Sequence, residues 1–228
     1  MSGDLTDGIK WYFAFVTSTV VHEAAHAWSA RRLGDDTAAQ GGQASLDPWP
    51  HIRREPLGMV VVPILSFFAG GWMIGWASAP YNPQWALQFP KRSALMALAG
   101  PASNLLLAAM AVLLMVAGIF SGFFHSPTVL SFTHLVDAGA SDLSESTGRM
   151  LSIFFSLNLL LATFNLLPLP PLDGSNAPLL ILPASAARSW IAWISHPQFR
   201  IMGMIIAWKV FGLLFPPLHA ATVRFLFH

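Results

Sequence analysis

The sequence predicts an all-α polytopic membrane protein, and three observations carry that prediction. Hydrophobic residues make up 54% of the 228-residue chain and charged residues 10%, where a soluble domain carries about 25% charged residues. Mean hydropathy is +0.56, and apolar stretches at 11–33, 93–120 and 150–167 approach the roughly 20 residues that take a helix across a bilayer. Arg and Lys gather in short polar segments between these stretches, as the positive-inside rule requires. A soluble core cannot bury so many helices that are apolar all round. One membrane-embedded domain is therefore expected over 1–228, with a three-helix core at about 9–33, 93–120 and 150–173. A re-entrant or hairpin element and one or two C-terminal helices complete it.

Composition also excludes. The net charge of +1 offers no basic surface to nucleic acid. Cysteine is absent, so disulfides and thiol catalysis are ruled out. The first nine residues carry Asp4 and Asp7 and no basic region, so no cleaved signal peptide is expected. No soluble appendage of domain size and no transporter-like internal repeat is expected.

Residues 5–33 read as one helix, its flanks around position 22 apolar enough for lipid. It ends at Arg31-Arg32 and Gly34, where basic residues suit the helix dipole and a membrane surface. Residues 35–55, rich in Gly and Pro, read as a polar loop with room for a short hairpin. Residues 57–79 are apolar again but broken by Pro63, Gly70-Gly71 and Gly75. Arg53-Arg54 precede them and Lys91-Arg92 follow them, so the positive-inside rule puts both flanks on one side. That favours a re-entrant or helix–turn–helix element folding back at Gly70-Gly71, with a plain span as the alternative. Residues 79–83 then form a proline-punctuated extended loop.

The 93–120 span contains Ala99-Gly100-Pro101-Ala102-Ser103-Asn104, a small-residue face for close helix packing, kinked at Pro101. Residues 121–148 read as an outer loop whose middle, 129–136, lies on the membrane surface. The third span, from 150, runs into Asn165-Leu166-Leu167-Pro168-Leu169-Pro170-Pro171-Leu172-Asp173-Gly174, where prolines forbid a continuing helix. Residues 179–187 form a short apolar piece, 199–215 a further candidate span, and 218–227 are too short to cross. Lys10 and Arg149 fall on the outer side, and Arg31, Arg32, Arg53, Arg54, Lys91, Arg92, Arg188 and Arg200 on the inner.

Chemistry concentrates at His22-Glu23-Ala24-Ala25-His26. His22 and His26 are one helical turn apart, so both imidazoles leave one face and can grip one metal ion, with Glu23 within reach of a water there. This is the HExxH arrangement of zinc hydrolases. A catalytic zinc needs a third protein ligand. The metzincin pattern would place a His at position 32, which is Arg32, and Glu55 is the only Glu soon downstream. Asp173 is better placed: it is an ionisable residue in an apolar, helix-interrupting stretch on the side where the HExxH helix ends. Its other reading is the N-cap of the following helix. Asn165, in a last helical turn, could donate to a developing oxyanion or cap the helix end. The histidines at 51, 125, 134, 196, 219 and 228 lie in loops or at ends and read as surface residues, with His51 on the side of the metal. Trp49, Trp76 and Trp85 suit a membrane-surface belt.

The three segments together, 22–26, 99–104 and 165–174, resemble the site-2 protease family of intramembrane zinc metalloproteases. The resemblance covers most of 10–185 and is closest to the compact bacterial branch without PDZ or CBS domains. It implies one zinc ion per chain, held by His22, His26 and Asp173, with Glu23 as the base and Asn165 assisting. It also implies a transmembrane protein substrate, a bacterial inner membrane with the site toward the cytosol, and a possible regulatory partner. The sequence departs from the family at Ser175-Asn176, where a basic residue or Gly is common, and at Asp47, where Asn is common. The larger members' additional helix ahead of the HExxH helix is not expected here. The alternative is a transporter or channel using His22, Glu23 and Asp173 as an ion pathway. The sequence sets no oligomeric state.

Overall fold

The computed structural model describes residues 5–139 and 141–227. Its frame is three packed helices. Helix α1 spans Leu5–Leu33, α2 Thr37–Gln40, α3 Pro48–Arg54, α4 Val62–Gly70, α5 Pro83–Gln88, α6 Pro90–Phe120, α7 Asp142–Asn165, α8 Ala184–Ser195 and α9 Pro197–Phe227. A π-helical turn at Leu57–Val61 leads into α4, and a 3-10 segment at Asp173–Leu180 follows α7. The chain is an all-α polytopic membrane protein: α6, α7 and α9 are long and apolar enough to cross a membrane. Helix α1 has the length but not that hydropathy. It carries Asp7, Lys10, His22, Glu23, His26, Arg31 and Arg32 and hides many of its polar groups against α6 and α7.

Cross-contacts fix the register of the core. Arg92 Nη1 donates to Leu33 O at 3.1 Å, His26 Nδ1 meets Met96 O at 2.8 Å, and Asn104 Nδ2 reaches Ser18 O at 3.3 Å. Helix α6 therefore runs antiparallel to α1. Arg149 makes two hydrogen bonds to Asp7, and Asn158 Nδ2 donates to Ser18 Oγ at 2.8 Å, so α7 runs parallel to α1. Lys10 and Arg149 thus sit at one end of α1, and Arg31, Arg32 and Arg92 at the other.

Residues 57–82 fold back on themselves. Gly71 takes a left-handed φ of 75° and ends α4. The return leg is not helical. It lies against its own start, with Trp76 N donating to Gly58 O at 3.2 Å and Ile74 N to Ser66 Oγ at 3.0 Å. Gly75 has no room for a side chain; a Cβ there would press on Gly58 O and stand 2.5 Å from Phe15 Cζ. The re-entrant reading holds, in a helix-plus-extended form. Phe67 and Met73 bury against Trp11 and Phe15 of α1.

Several expectations need correction. The 35–55 loop carries no strand; it holds α2 and α3, the latter capped by Asp47 Oδ1 accepting from Trp49 N at 2.9 Å. Asn82 caps α5 in the same way within the expected loop. Each is an Asx–Pro pair, which pairs a cap with the helix's first residue. Trp85 is buried with Ala30 and Met96 rather than lying in a surface belt. Helix α7 begins at Asp142, inside the expected outer loop, because the Ser141 hydroxyl caps Ser144 N at 3.2 Å and Asp142 and Glu145 suit the first turn.

The rest of that loop turns inward. Two strands of two residues each, β1 (Phe124–His125) and β2 (Asp137–Ala138), pair antiparallel, and Phe124, Leu135 and Val136 bury among α6, α7 and α9. His134 Nε2 stands 2.6 Å from Asp137 Oδ1 and holds that carboxyl below its ordinary range. Helix α9 passes through Pro216-Pro217 as one element, where a break was expected. Each proline deletes one backbone bond, a loss tolerated more readily in apolar helices. His219 is thereby helical and half-buried, 2.9 Å from Ser156 Oγ and stacked on Phe132. His51 is 1% exposed, not a surface residue. His125 and His196 are exposed as expected, and His228 lies outside the described residues.

Candidate metal centre

The five sequence-predicted residues divide. His22, His26 and Asp173 come together, their ligand atoms all within 4.8 Å of one another. His22 Nε2 is 3.0 Å from His26 Nε2, and Asp173 Oδ2 is 3.2 Å from the first and 3.4 Å from the second. Glu23 sits in the same turn, leaving α1 about 100° round from His22, and is 6% exposed, as are both histidines. Asp173 is the most accessible of the three, its side chain 21% exposed. It does not cap the segment it begins; the N-cap is Leu172 and the carboxylate turns to the imidazoles.

Asn165 stands apart in detail. The Ser18–Asn158 contact sets the level of α7 against α1, and seven residues further on Asn165 reaches the level of Ala25. Its Nδ2 donates to Leu161 O at 3.0 Å, so one of the two amide donors is spent on its own helix.

Hydrogen bonds behind the rings settle the tautomers. Met96 O can only accept, so His26 Nδ1 carries a proton and donates it. Asn104 Nδ2 already donates to Ser18 O and, at 2.8 Å, to Asn158 Oδ1. The Asn104 Oδ1 that lies 2.6 Å from His22 Nδ1 is therefore an acceptor, and His22 donates. Both neutral rings then present bare Nε2 lone pairs to each other and to a carboxylate oxygen. Three such donors repel unless a cation stands between them. Their separations of 3.0, 3.2 and 3.4 Å approach the roughly 3.3–3.4 Å edge of a tetrahedron around zinc with ligands at about 2.0–2.1 Å. The residues present fit such an ion.

Two glycines let the site close. A Cβ on Gly100 would press on His26 Nε2 and lie 2.6 Å from His22 Nε2, so the bare backbone of α6 forms a wall of the cluster. A Cβ on Gly174 would strike the Leu166 carbonyl and lie 2.6 Å from Leu167 O, so Gly174 lets the Asp173 bend fold against the end of α7. Sequence reasoning read the 99–104 segment as a packing face and as one carrier of the family resemblance, gave Gly100 and Asn104 no role at the site, and passed over Asn158. The available signal was a buried carboxamide in the middle of an apolar helix, which is costly unless it has partners.

Residues 11–190 match the family model described as Peptidase family M50. The chain is 36% identical over 160 residues to "Putative zinc metalloprotease YwhC" of Bacillus subtilis, covering 70% of this chain and 63% of that protein. It is 34% identical over 166 residues to "Putative zinc metalloprotease Rip2" of Mycobacterium tuberculosis, covering 70% of this chain and 52% of the relative. The protein of the same name from Mycolicibacterium smegmatis is 28% identical over 163 residues, covering 72% of this chain and 53% of the relative. The matches thus span between about half and just under two thirds of these relatives. No solved structure matches the chain at a significant level. The matched region holds His22, Glu23, His26, Gly100, Asn104, Asn165 and Asp173, and the chain belongs to peptidase family M50, the site-2 protease family.

Proposed function

We propose that this chain is an intramembrane zinc metalloprotease that hydrolyses peptide bonds in or near transmembrane segments of membrane proteins. The observation that carries the reading is the pair of imidazoles with protonated Nδ1 atoms tied down behind and bare Nε2 atoms meeting Asp173 in front. One zinc ion per chain would be held by His22, His26 and Asp173, and would supply Lewis acidity to the scissile carbonyl and to a water. Glu23 takes the proton of the attacking water and passes it to the leaving amine. Asn165 donates its second amide hydrogen to the developing oxyanion. Met96 and Asn104 hold the two rings in their tautomers throughout.

An apolar groove of about 820 Å³ supports access from lipid. It follows α1 from Leu5 to Val21, next to His22, and its far wall is the re-entrant element with Ile64, Phe67, Phe68 and Met73. A substrate helix must unwind to expose its amides. The non-helical legs at 73–82 and 166–172 are where backbone could pair with it in extended form. The Arg-rich end of α1 supports a site in the cytosolic half of a bacterial inner membrane, by the positive-inside rule.

The test uses purified protein fused with bacterial inner-membrane vesicles, with new protein termini mapped by mass spectrometry. Wild type should create termini within or beside membrane spans, and Glu23→Gln should create none while keeping its zinc. Ion flux equal in wild type and Glu23→Gln, with no new termini in either, would replace this reading with the transporter alternative.

A further inference from the structure

Helix α9 lies beyond the part of the chain that matches the family model, yet it touches the bend that presents Asp173. A Cβ on Gly203 of α9 would collide with the Pro170 carbonyl oxygen, and would stand 3.0 Å from the carbonyl carbon and 3.2 Å from Pro170 Cδ. All three atoms belong to backbone or to a ring, so none can swing aside. One turn further along α9, Ala207 is 0% exposed and shares a buried cluster with Leu167 and Leu172. Phe164, near the end of α7, sets its ring edge-on to Phe211, with centroids 5.2 Å apart.

From Pro170 the path to Asp173 is short and stiff. Leu172 N donates to Leu169 O at 2.9 Å, and Ser175 N to Leu172 O at 3.0 Å. Gly174 lies against Leu166 O on the other side. The bend is thus pinched between the end of α7 and the face of α9, and two glycines make both approaches possible.

We propose that Gly203 is a positioning residue: by letting α9 seat against Pro170, it sets the Asp173 carboxylate at its distance from His22 and His26. A methyl at 203 displaces Pro170, and the displacement passes through two hydrogen-bonded turns to the ligand oxygen. The idea rests on the reading of Asp173 as a zinc ligand.

The experiment is a double-mutant cycle on zinc affinity, measured on the full chain in nanodiscs by competition with a chromophoric chelator. Gly203→Ala should weaken zinc about ten- to a hundredfold, the range for residues that orient ligands. In an Asp173→Ala background the same change should do nothing further, because its route is gone. Gly212→Ala is the control, since Gly212 lies in the same helix with nothing within 4 Å of its Cβ position; it should leave affinity unchanged. If Gly203→Ala fails to accumulate, Ala207→Gly loosens the same seam without a clash and should show the same dependence on Asp173. Equal losses with and without Asp173 would overturn the proposal, as would unchanged affinity in both seam variants. Asp173→Ala with undiminished zinc would instead remove the ligand reading itself.

Discussion

Asn104 and His22, 82 positions apart in sequence, meet at 2.6 Å between Oδ1 and Nδ1. Asn104 is fully buried, and its amide hydrogens go to Ser18 O and Asn158 Oδ1. Its orientation is therefore set by α1 and α7 together, and it passes that orientation to the imidazole. Asn104→Ala should weaken zinc about ten- to a hundredfold while leaving the protein folded. The check is zinc affinity beside a thermal melt. Full affinity with a lowered melt would make Asn104 a packing residue alone.

Gly100 makes a sharper case, because the predicted loss runs against helix propensity. Alanine is favoured over glycine within a helix by about 1 kcal/mol, so Gly100→Ala should keep or raise helicity. Its methyl would occupy space beside both Nε2 atoms. Zinc content should fall to background in a protein that still melts cooperatively. Retained zinc would show that α6 can retreat from the imidazoles.

The re-entrant element predicts a labelling pattern. The chain contains no cysteine, so each introduced thiol is unique. Trp49 and Tyr81 flank the element and Val129 lies in the opposite loop; all three are exposed. Trp49→Cys and Tyr81→Cys should react with an impermeant maleimide in inverted vesicles, and Val129→Cys in right-side-out ones. Tyr81→Cys reacting from the side of Val129→Cys would mean that residues 57–79 span.

Much of the site was legible because its key residues obey local rules. Two histidines one turn apart point the same way on any helix, and an Asp after three prolines has no helical place to go. The proline-broken bend had to leave α7, and the charge pattern alone argued that 57–79 returns. The hidden parts are those where distant segments meet. Nothing near Asn104 or Asn158 in sequence announces His22 or Ser18, since a hydrogen bond across helices has no period. The 121–141 loop looks polar, yet Leu135 and Val136 reach the core beside a pair of two-residue strands too short to signal themselves. Helix α9 defeated a rule suited to water: prolines that end a solvated helix leave this one running. That misreading also placed His219 in a loop.

The central claim is that one chain holds one zinc ion between His22, His26 and Asp173. Elemental analysis of the purified full chain, wild type beside Asp173→Ala, tests it most directly. The account predicts close to one zinc per wild-type chain and a large loss in Asp173→Ala at the same protein fold. Zinc at full occupancy in Asp173→Ala, or none in wild type loaded with zinc, would contradict it.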